Sequence, residues 1–403
     1  MNSTSLSHYF GSPLRIAIVT ETYPPEVNGV AITVGHMVEG MNQRRHHVHL
    51  IRPRQHKQEV ALQTDGCSET LMAGLPMWGY PGLRYGLPAR RKLLRLWQQQ
   101  RPDIVQIATE GPLGWSAISA AKKLGIPVVS GFHTNFHHYS RHYGIGWLNR
   151  PIAAYLRHFH NKTACTMVPT ADLQQELMQS GYRNVEVISR GVDTELFNPR
   201  KRSAELRQRW GATEDTPVVM MVSRMAAEKN LNAVIRAFEQ MLIARPDAKL
   251  VMVGDGPARA ALQQQHPHVI FAGMRTGEDL AIHYASGDLF LYPSLTETYG
   301  NVTIEAMASG LSVLAYDYAA ARQHIRHDVN GLLAPFDDAT SFIDHAVALV
   351  RVPDRARRLR NHARQSVGML TWPNIMIQLE NLLIELVNSQ GVNHVQTELS
   401  PER

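Results

Sequence analysis

The strongest constraint on the fold of this 403-residue chain is a series of short apolar segments that alternates with helical segments and then starts again. Short, nearly continuous apolar runs that end in loops are typical of buried strands in parallel sheets. Repeated strand–helix units predict doubly wound sheets, whose ligands bind at the carboxyl ends of the strands. We therefore predict an α/β protein with two Rossmann-like domains that face a central cleft.

The predicted elements fall into two groups that meet near residue 195. Strands of the first group are expected at Leu14–Thr20, His47–Arg52, Ile104–Ala108, Val128–Gly131, Thr166–Val168 and Val185–Ser189. Strands of the second group are expected at Val218–Ser223, Lys249–Val253, Val269–Ala272, Leu289–Tyr292 and Ser312–Tyr316. We place an N-terminal acceptor domain at 1–195 and a C-terminal donor domain at 196–370. An amphipathic helix at 371–388 is expected to pack back on the N-terminal domain, and 389–403 to form a flexible tail.

Charge is divided unevenly between the two halves. Residues 1–195 contain 20 Lys and Arg against 13 Asp and Glu, whereas residues 196–403 contain 21 against 22. This asymmetry indicates an anionic partner for the first half. A nucleic-acid-binding protein is the alternative from a different functional class, but no helix-turn-helix, zinc-finger or RNA-recognition signature occurs. We therefore expect no nucleic-acid partner.

Cysteine content and the N-terminus indicate where the protein resides. Two cysteines, Cys67 and Cys165, make a disulfide framework unexpected in so long a chain and suit a reducing compartment. The first thirteen residues lack the basic start and apolar core of a signal peptide, and no run of eighteen apolar residues occurs. We expect a cytoplasmic protein, either free or peripheral at the inner face of the membrane.

The segment Pro293–Glu305, with the sequence PSLTETYGNVTIE, is the strongest candidate for chemistry. It follows a predicted strand and enters a helix predicted to begin near Val302. Gly300 permits close approach of the backbone to a ligand, and the first helical amides form an anion site. Glu297 and Glu305 can then face a ligand together. The alternative is a capped helix with two solvent-exposed carboxylates.

Other candidate residues follow other predicted strands. Arg224 and Lys229 lie in the loop after Val218–Ser223, where cations can neutralise a diphosphate. Gly254-Asp-Gly-Pro257 forms a tight turn, and His133 follows Val128–Gly131. His133 could bind a sugar or could be an ordinary strand-end histidine.

Several cofactor motifs do not occur in the sequence. The loop after the first strand, Glu21–Val30, lacks G-x-G-x-x-G, which argues against a dinucleotide enzyme. No G-x-x-x-x-G-K-[ST] and no His-Glu-x-x-His occur, although His133 and His137 are spaced by four. No Asp-x-Asp is present to bridge a metal to a diphosphate. We expect neither a cofactor nor a metal.

Taken together, these residues resemble glycosyltransferase family 4, the retaining enzymes of GT-B architecture, over about residues 13–388. The resemblance rests on Glu297-x7-Glu305, the Arg224 to Lys229 loop, the Gly254 turn and His133-Thr134. It is greatest to bacterial GDP-mannose-dependent α-mannosyltransferases and related lipid glycosyltransferases, which share the Glu21-Thr-Tyr-Pro-Pro-x-x-Asn-Gly pattern.

The resemblance implies roles for individual residues. Arg224 and Lys229 would hold the donor diphosphate, Glu297 the transferred sugar and Glu305 the ribose. His133 would contact the sugar. None of these roles would require a metal ion. The remaining donor-binding positions implied by the family are Gly29, Gly254, Gly273, Arg275, Tyr299, Gly300, Asn301 and Val302.

The resemblance also implies a substrate and leaves its identity open. The implied reaction is transfer of a hexose, mannose from GDP-mannose, to a lipid or glycan acceptor, and the alternative is a UDP-sugar-dependent lipid glucosyltransferase. Where many relatives carry a glycine pair, this chain has Asp317–Ala321, so the donor loop is bulkier. The stretch 78–101 combines aromatic and basic residues and predicts contact with an anionic membrane; an ordinary domain helix is the alternative.

Overall fold

A computed structural model of the chain describes residues 12–26, 28–76, 84–133 and 149–398. Two separate, mainly parallel sheets with flanking helices form the core of two domains, which confirms the predicted architecture. The strands of each sheet are short and apolar because both faces of a parallel sheet are covered by helices. Cys67 and Cys165 are buried free thiols in the N-terminal domain.

The N-terminal sheet has eight strands in the order β10-β9-β8-β7-β1-β2-β4-β3, and all neighbours are parallel except β3 and β4. Residues between β4 and β7 add a separate antiparallel pair, β5 and β6. The strands are β1 Arg15–Val19, β2 His47–Pro53, β3 Gln63–Thr64, β4 Cys67–Met72, β5 Gly74–Pro76, β6 Arg84–Gly86, β7 Ile104–Ile107, β8 Val128–Gly131, β9 Cys165–Val168 and β10 Val185–Val187. The helices are α1 Gly29–Gln43, α2 Arg90–Gln99, α3 Pro112–Lys123, α4 Asn149–His160 and α5 Ala171–Gln179.

The C-terminal sheet has six parallel strands in the order β13-β12-β11-β14-β15-β16. They are β11 Val218–Val222, β12 Lys249–Val253, β13 Ile270–Gly273, β14 Leu289–Tyr292, β15 Ser312–Tyr316 and β16 Leu332–Ala334. The helices are α6 Ala204–Arg209, α7 Leu231–Ala244, α8 Arg259–Gln265, α9 Gly277–Ser286, α10 Asn301–Ala308, α11 Ala319–His324, α12 Ala339–Arg351, α13 Pro353–Ser366 and α14 Trp372–Glu398. Two single 3-10 turns, Pro199–Lys201 and Ala227–Lys229, precede α6 and α7.

Sequence reasoning found the central strands of both sheets and the edge strands β10 and β13, but it missed β3 and β4 at one edge and β16 at another. Lys249–Val253, Leu289–Tyr292 and Ser312–Tyr316 have the predicted bounds. Strand β4 was missed because its buried and half-buried residues alternate, without a continuous apolar run. The last helix continues to Glu398, beyond the predicted end at 388.

The last helix, α14, returns from the C-terminal domain to the N-terminal one. Leu379 and Leu383 are fully buried in a cluster with Val34, Val38 and other residues of α1 and the sheet. At the edge of this contact Glu380 pairs with Arg44 and lies 2.9 Å from the ring of His46. Apolar burial and this ion-pair network therefore hold α14 on the N-terminal domain.

We expect Leu379→Ala to destabilise the N-terminal domain by about 2–4 kcal/mol, because it leaves a cavity under α14. The matched control is Ile377→Ala, at a position 36% exposed on the same helix, with an expected cost below about 1 kcal/mol. Urea unfolding followed by circular dichroism measures both. Equal midpoints for the two variants would contradict this description of α14.

Candidate functional site

Three loops at the carboxyl ends of β11, β12 and β13 are joined by backbone hydrogen bonds. Ser223 donates its amide hydrogen to Val253, and Met225 to the carbonyl of Asp255. Gly254 has a φ of +131°, and a Cβ there would overlap the carbonyl oxygen of Ser223. Only glycine fits this approach. The predicted turn therefore fixes the position of the loop that carries Arg224.

A half-buried ion pair forms the centre of the candidate site. Lys229, in the 3-10 turn after β11, contacts Glu297, in the loop after β14, and both side chains are 15% exposed. Tyr292 and Ser294 donate hydrogen bonds to the same oxygen, Oε1 of Glu297, at 2.5 and 2.8 Å. All of these contacts fall on Oε1, so Oε2 of Glu297 is the oxygen available to a ligand hydroxyl.

Helix α10 begins beside this ion pair. Gly300, with a φ of +94°, precedes it, and no side chain caps its first amides. Asn301 and Val302 therefore present the positive end of a helix to the cleft, as the sequence predicted for an anion site. The helix starts at Asn301, one residue before the predicted start.

Glu305 lies further along α10 and is held in a less polar environment. The hydroxyl of Tyr284 donates to its Oε2 at 3.0 Å. Burial raises the pKa of Glu305 to about 7, and the hydrogen bond from Tyr284 opposes that rise. Near neutral pH this carboxyl group is poised between its two protonation states. A ligand diol that donates two hydrogen bonds would favour the ionised form.

The N-terminal domain contributes His133 and the start of α1. The carbonyl of His133, after β8, accepts a hydrogen bond from the hydroxyl of Thr298 at 3.0 Å. Burial lowers the pKa of His133 to about 3, so the ring is neutral. Both of its nitrogens are buried and have no hydrogen-bond partner among the described residues. Thr134, Asn135 and His137 lie outside the described part of the chain.

Sequence reasoning missed the segment that crosses between the domains, Ser189–Arg190. The hydroxyl of Tyr299 donates to the carbonyl of Arg190 at 3.1 Å and lies 3.2 Å from the hydroxyl of Ser189. Arg190 Nη1 lies 3.3 Å from Oδ1 of Asn301 and faces Gly29 at the start of α1. Sequence reasoning assigned no role to this arginine, because only the tertiary fold brings it to α10.

The remaining predicted residues lie at the periphery of the ion pair. Arg224 pairs with Glu228 in its own loop. Arg275 bonds to the carbonyl of Ala272 and to Asp279, which orders the loop after β13. Gly273 has a φ of +76° and faces the guanidinium of Arg259. The structure thus brings together Lys229, Glu297, Gly300, Asn301 and His133, and sets Arg224, Gly273 and Arg275 on neighbouring loops.

The bulkier loop after β15 adopts a strained conformation. Ala319 has a φ of +51°, in the region that favours glycine. Its neighbour Ala320 donates an amide hydrogen bond to the carbonyl of Tyr299 at 2.8 Å. This bond ties the loop to the Glu297 segment, which explains how the strain is supported.

One group of side chains with metal-binding chemistry lies among the described residues, away from the ion pair. Glu239, His266 and His268 have ligand atoms within 4.8 Å of one another. Two of these residues precede β13, at the amino end of the strand, whereas the ion pair lies at the carboxyl ends. This group is therefore not part of the candidate site.

Comparison with known proteins supports an assignment to one family. The model for Glycosyltransferase Family 4 matches residues 27–196, and the model for Glycosyl transferases group 1 matches residues 216–351. The chain is 33% identical over 374 residues to the GDP-mannose-dependent alpha-mannosyltransferase of Mycobacterium tuberculosis, covering 91% of this chain and 95% of that protein. It is 28% identical to the alpha-monoglucosyldiacylglycerol synthase of Streptococcus pneumoniae, covering 85% and 79%.

Solved structures share the two-domain fold at lower sequence identity. Sucrose-phosphate synthase from Thermosynechococcus elongatus matches with a TM-score of 0.78 at 19% identity, covering 93% of this chain and all of that one. Anabaena HepE in complex with UDP and glucose matches with a TM-score of 0.73 at 19% identity, covering 92% and 100%. These likenesses establish the GT-B fold.

We expect Glu305→Gln to change how stability depends on pH. Because the native pKa of Glu305 is raised to about 7, the folded protein holds this proton more tightly than the unfolded chain. The free energy of unfolding of the wild type therefore falls as pH rises from about 4.5 to 7, and this part of the fall is lost in the variant. The variant should gain on the order of 2 kcal/mol relative to the wild type between pH 5 and pH 8.

Urea unfolding at the two pH values measures this gain, and Glu176→Gln, at an exposed position, is the control. A difference between Glu305→Gln and the wild type that does not change with pH would refute the buried, proton-binding state of Glu305.

Proposed function

This chain belongs to glycosyltransferase family 4, and we propose that it transfers a hexose, mannose from GDP-mannose, to a lipid or glycan acceptor with retention of configuration. The half-buried Lys229–Glu297 pair beside the uncapped start of α10 is the observation that carries the proposal. It combines a cation, a helix N-terminus and a carboxylate, which suit a diphosphate and a sugar hydroxyl.

The chemistry proposed for the site is electrostatic. As the bond between the anomeric carbon and the phosphate oxygen breaks, negative charge grows on the leaving nucleoside diphosphate. Lys229, Arg224 and the first amides of α10 stabilise that charge without a metal ion, because they are already in place before the reaction. The acceptor oxygen bonds to the same face of the anomeric carbon, and its proton passes to the leaving phosphate. No protein nucleophile takes part.

The environment of Glu297 favours a binding role over an acid–base role. Lys229, Tyr292 and Ser294 all bond to one oxygen of this carboxylate and hold the group in place. A carboxylate held in this way accepts hydrogen bonds from a sugar. His133, neutral and with both ring nitrogens unpartnered in the described part of the chain, would add a contact to the sugar from the N-terminal domain.

GDP-mannose as donor is supported by the relatives at 31–33% identity that bear the name GDP-mannose-dependent alpha-mannosyltransferase. A UDP-sugar-dependent lipid glucosyltransferase is the second candidate, supported by the glucosyldiacylglycerol synthase relatives. Thermal-shift screening against GDP, UDP and ADP sugars separates them. Stabilisation by GDP-mannose alone supports the first candidate, and stabilisation by UDP-glucose alone supports the second.

A lipid acceptor would place the enzyme at the inner face of the cytoplasmic membrane. No helix among the described residues has the length and apolarity needed to cross a bilayer. Helix α2 buries Leu93 and Trp97 in the N-terminal core, so its apolar side is not free to enter lipid. Its outer side carries the exposed Arg91 and Arg95, and we propose that these cations bind anionic lipid.

Lys229→Ala should reduce transfer at least about a hundredfold, because it removes the cation beside the leaving phosphate and leaves Glu297 without its partner. Lys229→Arg should retain more activity, since the charge remains. The exposed Lys123→Ala is the control and should match the wild type. The measurement is release of nucleoside diphosphate, with circular dichroism to verify folding. Near-normal turnover by a folded Lys229→Ala protein would show that Lys229 does not stabilise the leaving phosphate.

The double variant Arg91→Gln, Arg95→Gln should lose binding to vesicles that contain anionic lipid, because it removes two exposed cations worth about 1 kcal/mol each. Flotation at low salt measures binding, with neutral vesicles as a reference. Arg357→Gln, Arg358→Gln on α13 is the charge-matched control. If the wild type fails to float with anionic vesicles, the proposed binding to anionic lipid is wrong.

A further inference from the structure

Arg190 is a buried cation without a carboxylate partner among the described residues. Its side chain is in the segment that crosses between the domains, and the residue is 6% exposed. One guanidinium nitrogen lies 3.3 Å from Oδ1 of Asn301, and Nε is buried with no partner in the part of the chain that the structure describes. Its other neighbour is the ring of Tyr299, 5.6 Å from the guanidinium carbon. A buried charge normally requires a charged partner.

The surroundings of Arg190 make a positive charge still less favourable. The guanidinium lies between the N-terminal ends of two helices, α1 at Gly29 and α10 at Asn301. Helix N-termini carry partial positive charge, and they attract anions and repel cations. Three positive groups thus converge on one place, where a Cβ added to Gly29 would lie 3.6 Å from Arg190 Nη1.

The charged and titratable groups near Arg190 do not compensate it. Burial lowers the pKa of Arg190 to about 10, with Tyr299 and Glu297 opposing the change, so the guanidinium stays protonated at neutral pH. Glu297 is already bonded to Lys229. His133 is neutral, and its two ring nitrogens, buried and unpartnered among the described residues, are further free polar groups. An anion bound here would compensate the charge of Arg190.

We propose that Arg190 binds the sugar-proximal phosphate of the nucleotide sugar, as a third cation beside Lys229 and Arg224. This inference rests on the proposed function and adds to it a residue from outside the two domain cores. Because Arg190 belongs to the crossing segment, it contacts α10 of one domain and lies beside Gly29 at the start of α1 of the other. The phosphate would therefore be held at the junction of the domains, where both halves of the site meet the reacting bond.

Arg190→Gln tests the proposal, because glutamine keeps a polar side chain and removes the charge. Isothermal titration of the full chain with GDP, UDP, GMP and inorganic phosphate measures binding. We expect affinity for the preferred nucleoside diphosphate to fall about tenfold or more. Affinity for the monophosphate should stay within about twofold, since it lacks the distal phosphate. Arg190→Lys should bind the diphosphate more tightly than Arg190→Gln, because it restores the charge. The surface variant Arg357→Gln should retain the wild-type affinities.

The stability of Arg190→Gln separates the proposed binding role from a purely structural one. If Arg190 binds the phosphate, removing its buried charge, which faces two helix N-termini, should leave the unfolding temperature of the nucleotide-free protein unchanged or higher. The stabilisation of the variant by nucleoside diphosphate should then be smaller than that of the wild type. If Arg190→Gln is less stable without nucleotide and yet binds the diphosphate with wild-type affinity, the role proposed for Arg190 is wrong and the proposed function of the chain is unaffected. A wild type that binds no nucleoside diphosphate would overturn the proposed function together with it.

Discussion

The ion pair between Lys229 and Glu297 is the contact on which the rest of the site depends. It joins the loops that follow β11 and β14, which are adjacent strands of the C-terminal sheet. The amide of Leu295 donates a hydrogen bond to the carbonyl of Glu228, and the hydroxyl of Tyr318 donates one to the carbonyl of Glu297. These bonds hold the backbone of the two loops in the position that the ion pair requires. Lys229 also places a positive charge beside this carboxylate and beside the place proposed for a diphosphate.

The site is completed by contacts that cross between the domains. Thr298 reaches the carbonyl of His133, and Tyr299 reaches Ser189 and Arg190. On the outer side, Gln323 accepts an amide hydrogen bond from Ala171. These contacts are polar, in contrast to the apolar burial that holds α14 on the N-terminal domain. Polar interfaces of this kind are typical of contacts between domains of one chain.

Local sequence patterns were enough to predict the strand ends and therefore the general position of the site. The candidate site residues follow β8, β11, β12 and β14, because the carboxyl ends of parallel strands lie at one edge of a sheet. Glycines at 254 and 300 were predictable since close approach or a positive φ excludes other residues there. The roles assigned to the individual side chains remain predictions.

Long-range neighbours could not be read from the sequence. Tyr284 is 21 residues from Glu305, yet its hydroxyl donates to that carboxyl and opposes the rise in its pKa. Arg190 is 111 residues from Asn301 in the sequence. Both pairs depend on how helices cross over the sheets, which no periodicity encodes. Strand β4 was missed for a related reason, since its neighbours β2 and β3 rather than a local apolar pattern stabilise it.

A crystal structure with the preferred nucleoside diphosphate bound is the most direct test of the central claim that the Lys229–Glu297 loops and α10 form a donor site. We predict the ribose hydroxyls within hydrogen-bonding distance of Glu305 and the diphosphate against Lys229 and the first amides of α10. A nucleotide bound in the N-terminal domain, or a ribose away from Glu305, would contradict the account.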